Sequence, residues 1–225
     1  MNIKYHVLIF ILCFSFLVIY AQTEAEKDPK AKAILDNISK TTKTYSTITA
    51  DYVMIVYNKE KKKTEEQTGK IELKGDKFKL EIPGNTIVSD GKTLWNFNKD
   101  AKELTIKNYN PNDDKNETIT PNNFFTIYEQ GYKYKYDKKE NVGKVSCDVI
   151  NLYPAIKPEK KKFHTIKLYI DNSKKQIVQA KVLMKNGEVY VYTVKKFSPN
   201  LPISDNYFTF DTKGLKPDQI TDERE

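Results

Sequence analysis

The sequence predicts a mainly β, α+β chain in which one long antiparallel sheet curls and two separate helical segments are available to cover its hollow side. Three observations predict it. Apolar and polar residues alternate with period two in segment after segment from Ser46 to Phe210. Turn signals such as Gly75-Asp76, Asp90-Gly91 and Asn186-Gly187 fall between those segments. Helical spacing occurs at two places only, near 29–43 and near 121–130. Together they give about ten or eleven strands.

The elements follow in order. Residues 1–21 read as a secretory signal peptide. Asn2, Lys4 and His6 make a polar, positive start, Val7 to Tyr20 is apolar apart from Ser15, and Ala21 precedes the polar Gln22-Thr23-Glu24. Cleavage is expected near Ala21, leaving 22–225 as one domain. The apolar run is short for a bilayer span. Cys13 is followed by the apolar Phe14 to Ile19, so it reads as part of the leader and not as a lipid anchor.

Asp28-Pro29 opens the first helix as N-cap and first-turn proline. Ile34, Leu35 and Ile38 fall on its apolar face. From Ser46 the period becomes two. Ile48, Ala50, Tyr52, Met54 and Val56 point one way, with Gly69, Ile71 and Leu73 and then Phe78, Leu80 and Ile82 repeating the pattern. Short strands at 86–89, 93–97 and 103–107 follow, and then a polar loop at 108–119. Thr120-Pro121 starts the second helix, which carries Phe124, Phe125, Ile127 and Tyr128 and ends at Gly131. Further strands are expected at 132–137, 144–153, 163–171, 176–185, 188–197 and 206–211. Asn186-Gly187 is expected to form a type I′ turn, and the tail from Lys216 to be loose.

Composition excludes much chemistry. Beyond the leader the chain has one cysteine, Cys147, and one histidine, His164. A disulfide within the chain and a Cys/His metal cluster are therefore unavailable, and no metal or cofactor is expected. Cys147 and His164 both fall in expected strands, where a buried structural thiol is the commoner reading. Asp113-Asp114 lies in the polar loop, which is a solvated setting and no catalytic cleft, and the triplet Asn116-Glu117-Thr118 arises often by chance. No catalytic residue is assigned and no enzyme is expected. The formal net charge is +8. The positives are almost all lysine, the sole arginine being Arg224, and they are interleaved with acids. Nucleic acid usually recruits arginine forks, so a solvated surface with weak attraction to anionic lipid or an acidic partner is expected.

The block Val88-Ser89-Asp90-Gly91-Lys92-Thr93-Leu94-Trp95 resembles the periplasmic outer-membrane lipoprotein carrier family, LolA. The N-terminal helix, Gly69 opening a strand, Phe78 after a short turn, the helix at 121–130 and the ending Phe208-Thr209-Phe210 with Gly214-Leu215 fall in register with it. The resemblance implies an incomplete antiparallel β-barrel closed by a helical lid, without catalytic residues or cofactor. It implies a periplasmic monomer that takes acylated lipoproteins from an inner-membrane releasing complex to an outer-membrane acceptor. A receptor or lipid-sensing module on the same fold is the alternative. Many members hold the lid with an arginine near the position before Phe78, where this chain has Lys74-Gly75-Asp76, and many carry a disulfide that Cys147 alone cannot supply.

On that reading the cavity is lined from the first strands by Ile48, Tyr52, Met54 and Val56, with Ile71, Leu73, Phe78, Leu80 and Ile82. Leu94, Trp95 and Phe97 continue it, and Ile166, Leu168, Val182 and Met184 close it from the C-terminal strands. Ile34, Leu35, Ile38, Phe124, Phe125, Ile127 and Tyr128 form the lid. Each methylene buried gains about 0.8 kcal/mol, so a fully buried chain of ~16 carbons would gain about 12 kcal/mol. Several such chains would approach the non-covalent ceiling near −18 to −21 kcal/mol, about where release stops. A partly open hollow with a competing lid keeps release possible.

Overall fold

Each alternating segment pairs with its neighbour in sequence. The computed structural model describes residues 28–110, 127–129 and 131–224. The leader, Phe124 and Phe125, and most of the polar loop lie outside these. β1 (Ile48–Tyr57), β2 (Lys63–Lys74), β3 (Lys77–Ile82), β4 (Asn85–Ser89), β5 (Thr93–Asn98) and β6 (Glu103–Asn108) form one antiparallel meander. A second contains β7 (Tyr132–Val142), β8 (Val145–Pro154), β9 (Phe163–Asp171), β10 (Gln176–Met184) and β11 (Val189–Pro199). β11 pairs with β1 and joins the two. With β12 (Ile220–Asp222) at one edge, the result is a 12-stranded sheet in the order β12-β6-β5-β4-β3-β2-β1-β11-β10-β9-β8-β7. Its edges do not meet, so it is an unclosed, mostly antiparallel sheet.

The twelfth strand lies where the sequence suggested a loose tail. β12 (Ile220–Asp222) pairs in parallel with Leu104 to Ile106 of β6. Conversely, the strand expected at 206–211 is absent. Asp205–Phe208 is a 3-10 turn. A strand would send Tyr207 and Phe208 to opposite faces. The turn lets Phe208 bury completely while the Tyr207 hydroxyl donates to Glu72. The β10–β11 turn also differs from the expected type I′. The Gly187 N–H bonds Met184 O at 3.1 Å, and Gly187 takes φ 90° while Asn186 keeps a negative φ. One left-handed residue after an ordinary turn suffices, and glycine bears that conformation without cost.

α1 (Pro29–Thr42) forms as its caps require. The Asp28 carboxylate accepts from the Lys30 and Ala31 N–H groups at 2.8 and 3.2 Å. Its second oxygen accepts from Tyr136 N–H at 3.0 Å, and the Asp28 N–H donates to Tyr134 O at 3.3 Å. The cap thus pins the helix to the outer edge of β7. The bond from the Tyr136 amide, with those from the helix, holds the carboxyl below the usual aspartate range. Ala31, Leu35 and Ile38 recur at helical spacing and are buried. They pack on Ile150, Leu152, Ile166, Leu168 and Ala180, and each fully buried Leu or Ile contributes about 1.5–3 kcal/mol. This side of the sheet is its inner face.

Register carries that face across the molecule. Ile48, Tyr52 and Met54 of β1 oppose Leu73, Gly69 and Gln67 of β2. Leu73 and Ile71 oppose Phe78 and Leu80, and Ser89 opposes Leu94. The β1–β11 register shifts at Asp51/Tyr52, where Lys195 is the extra residue. The Asp90-Gly91 block serves as a turn: Asp90 Oδ1 accepts from Lys92 and Thr93 N–H at 2.9 and 2.7 Å, and the fully buried Ser89 hydroxyl accepts from Gly91 N–H at 3.1 Å.

Trp95 and Phe97 fall on the opposite, outer face, which corrects their expected place beside Leu94. They stand in register with Val88 and Ile106, and with Thr86 and Leu104. The C-terminal segment covers this face. Phe210 packs on Phe97 with ring centroids 5.1 Å apart, and Lys79 Nζ lies 4.4 Å over the Tyr207 ring. Lys74 and Lys77 pair with Asp205 at 2.9 and 3.1 Å. Two adjacent apolar residues in a strand cannot both face one side.

Candidate functional site

The inner face has two halves. Under α1 it is tightly packed. Leu35 and Ile38 meet Ile166, Leu168 and Val182, and Ile127 and Tyr128 join them from the 3-10 turn Ile127–Glu129; Ile34 and Met184 pack at the margin. Five of the seven expected lid residues are therefore together, the other two lying outside the described residues. From β1 to β5 the face is looser. Ile48, Leu73 and Phe78 form a buried floor, with Ile71, Leu80 and Leu94 half-buried against it. Tyr52, Met54 and Ile82 are also half-buried on this face, while Val56 is buried.

A row of tyrosines separates the halves, and of it sequence reasoning named Tyr52 alone. Tyr190 and Tyr192 of β11 pair opposite Val182 and Ala180 on one side and Val56 and Met54 on the other. The Tyr52 and Tyr192 rings are 6.2 Å apart. Tyr132, Tyr134 and Tyr136 line the far edge. The signal was present: both strands read Tyr-x-Tyr, period two, on the apolar face. Burial pushes the Tyr192 and Tyr132 phenols up to about 12 and also raises Tyr52. These rings therefore stay neutral and present an apolar body with a single polar tip. Gly69 makes room for Tyr52, because a Cβ there would sit 2.3 Å from the ring.

α1 is held at its C-terminal end by one carboxylate. Glu129 Oε1 accepts from Ser39 Oγ at 2.6 Å, and Lys43 Nζ bonds both carboxylate oxygens at 2.8 and 3.0 Å. The Tyr128 hydroxyl donates to Asp36 at 3.1 Å. Burial works to raise the Glu129 carboxyl, but Lys43 and Ser39 outweigh it and hold it below the usual glutamate range. Lys74, at the position where the resemblance places an arginine latch, points away: its ammonium reaches Ile203 O at 2.8 Å and Asp205 on the outer face. The fastening of the helix thus resides in Asp28, Asp36, Ser39 and Lys43.

A cleft of about 450 Å³ lies across β11, β1, β2 and β3, lined by Asp51, Val53, Thr68, Lys70, Glu81 and Lys195 and also by Tyr52, Gly69 and Ile82. Asp51, Lys70 and Glu81 alternate away from the inner face and give the cleft a charged side. Among the described residues no helix is long and apolar enough to cross a membrane.

Residues 43–211 match the family described as outer membrane lipoprotein carrier protein LolA, over more than half of the chain. The chain belongs to the LolA family. That family consists generally of non-catalytic carriers and points to the periplasm and to lipoprotein binding. No curated protein matches the sequence. Among solved structures, an uncharacterized conserved protein from Thermus thermophilus superposes with a TM-score of 0.56 at 16% identity, covering 87% of this chain and 99% of that one. This likeness shows the fold. A putative outer membrane lipoprotein-sorting protein domain from Vibrio parahaemolyticus gives a TM-score of 0.45 at 11% identity, covering 80% and 96%. A LolA superfamily protein from Nitrosomonas europaea gives 0.43 at 13%, covering 80% and 97%. α1 precedes the segment that matches the LolA family, so its fastening is read from this structure alone.

Proposed function

We propose that this LolA-family chain carries acylated lipoproteins through the periplasm, from an inner-membrane releasing complex to an outer-membrane acceptor. The acyl chains lie on the inner face. The observation that supports this most is the looser half of that face, where Tyr52, Met54, Ile71, Leu80, Ile82 and Leu94 form a continuous half-buried apolar surface beside a helix-covered one. A soluble protein leaves such a surface part-open when something apolar is to rest there. Partial burial keeps each methylene's contribution below about 0.8 kcal/mol, so release stays feasible. The packed half adds capacity only when α1 lifts, and then Leu168 and Val182 join the lining.

The test is release of an acylated lipoprotein from inner-membrane vesicles that contain the releasing complex. Soluble complex should form with the acylated protein and not with the same protein lacking its acyl groups. Ile71→Glu combined with Leu80→Glu should reduce yield at least ten-fold, since two charges would face buried alkyl chain. Equal complex formation with both cargoes would sink the reading, and acylation at Cys13 would favour a membrane-held receptor.

A further inference from the structure

At one end of the sheet, three neighbouring loops gather positive charge around an exposed apolar residue. β1–β2, β10–β11 and β8–β9 are hairpins on adjacent strands, so their loops 58–62, 185–188 and 155–162 lie side by side. A Cβ on Gly187 would come within 2.9 Å of the Lys59 side chain, which puts the first two in contact. Lys185 Nζ donates to Pro158 O at 2.7 Å and to Glu159 O at 3.2 Å, and Lys185 N–H donates to Lys162 O at 2.9 Å, which joins the third. The three loops carry eight lysines and three glutamates. Lys59–Glu60 at 3.8 Å is a weak, exposed pair within them.

Ile156 stands among these lysines and is 62% exposed, the highest value for a large apolar side chain among the described residues. Tyr153, 37% exposed, precedes it at the end of β8. The loop is built and held. Ala155 N–H bonds Gly131 O at 2.8 Å, Lys160 N–H bonds Lys157 O at 3.0 Å, and the inner side of Ile156 rests against Gly131. Holding an isoleucine in water on a braced loop costs solvation that folding does not recover. An apolar tip, a flanking tyrosine and a ring of lysines are the side chains that suit an anionic bilayer surface: lysines for the headgroups, the tyrosine for the interface and the isoleucine for the acyl boundary.

The geometry points to this end of the sheet, with Ile156 at its tip and Lys157, Lys160, Lys162 and Lys185 around it, as a docking surface for anionic phospholipid membrane. The surface adjoins Gly131, two residues past the 3-10 turn that helps cover the inner face, so docking sets that cover next to the bilayer. The site acts without cargo, and its test is therefore independent of the carrier reading.

The experiment is co-sedimentation of the cargo-free protein, recovered in soluble form after expression with its own leader, with phosphatidylcholine vesicles lacking or containing phosphatidylglycerol. Binding should need phosphatidylglycerol and should fall at least about ten-fold between low salt and roughly 0.5 M, where the Debye length is only a few ångströms. Lys157→Glu with Lys160→Glu and Lys162→Glu should abolish it, and Ile156→Asp should weaken it several-fold. Each variant should keep the parent's circular dichroism and melting temperature, since the altered side chains are exposed. Ile156→Trp should bind more tightly and shift its added fluorescence to the blue on vesicles. Equal binding to neutral vesicles, unchanged binding by folded variants, or retention on an acidic polypeptide without vesicle binding would each overturn the proposal. The last result would assign the patch to an acidic protein.

Discussion

Gly69 and Tyr52 act as a pair. The ring lies across the glycine, and the space for it is that of one missing methyl group. Gly69→Ala should therefore destabilise by about 1–3 kcal/mol, the usual cost of forcing an atom into a packed site. In the Tyr52→Ala background Gly69→Ala should cost less than it does in the parent, since the ring is no longer there to be displaced. Chemical denaturation of the four proteins in this cycle measures the coupling, and strict additivity would show that the ring can step aside freely. The position was legible as a glycine opening an apolar strand, but its purpose was not. A strand glycine gives no sign of which ring fills the space above it, and Tyr52 sits opposite through register alone.

At the scale of one element, α1 is held by apolar packing along its length and by polar groups at its ends. The Glu129 carboxyl is depressed in the folded protein, so it contributes stability above the usual glutamate range. That contribution is lost as pH falls through its lowered value. The C-terminal turn of α1 should loosen once pH falls below the usual glutamate range, seen as lower amide protection at Lys40 to Thr42 after correction for the intrinsic pH dependence of exchange, with Glu129→Gln lowering it already at neutral pH. Protection that does not change with pH in the parent would show that Leu35 and Ile38 alone hold the helix. The helix itself was readable from Asp28-Pro29 and from the spacing of Ala31, Leu35 and Ile38. Its fastening was not, because Ser39 and Lys43 meet Glu129 across some ninety residues of chain.

The whole sheet was legible where alternation was clean, as in β3 and β7, and less so where both faces of a strand are apolar. In β5, Leu94 points inward while Trp95 and Phe97 point outward, and no local pattern shows that residues 200–222 return to cover the outer side. That return closes the molecule: Phe208 is fully buried, and β12 pairs with β6. Phe208→Ala should cost about 3–5 kcal/mol by cavity formation, with the loss visible in the thermal midpoint. Deleting the residues from Lys216 onward should remove protection from the Leu104 and Ile106 amides, which face β12, while Thr105 keeps its β5 partner and β1 and β11 stay folded. Undiminished protection would mean that β12 contributes little to the edge.

Asp28 belongs at once to the helix and to the sheet. Its amide and one carboxylate oxygen occupy the Tyr134 carbonyl and Tyr136 amide, which would otherwise face outward from β7 as a free backbone row. A lift of the helix that carries this cap away uncovers not only grease but an unsatisfied strand margin, able to pair with any extended chain nearby. An opened molecule would thereby be adhesive along its side as well as in its hollow until the helix returned.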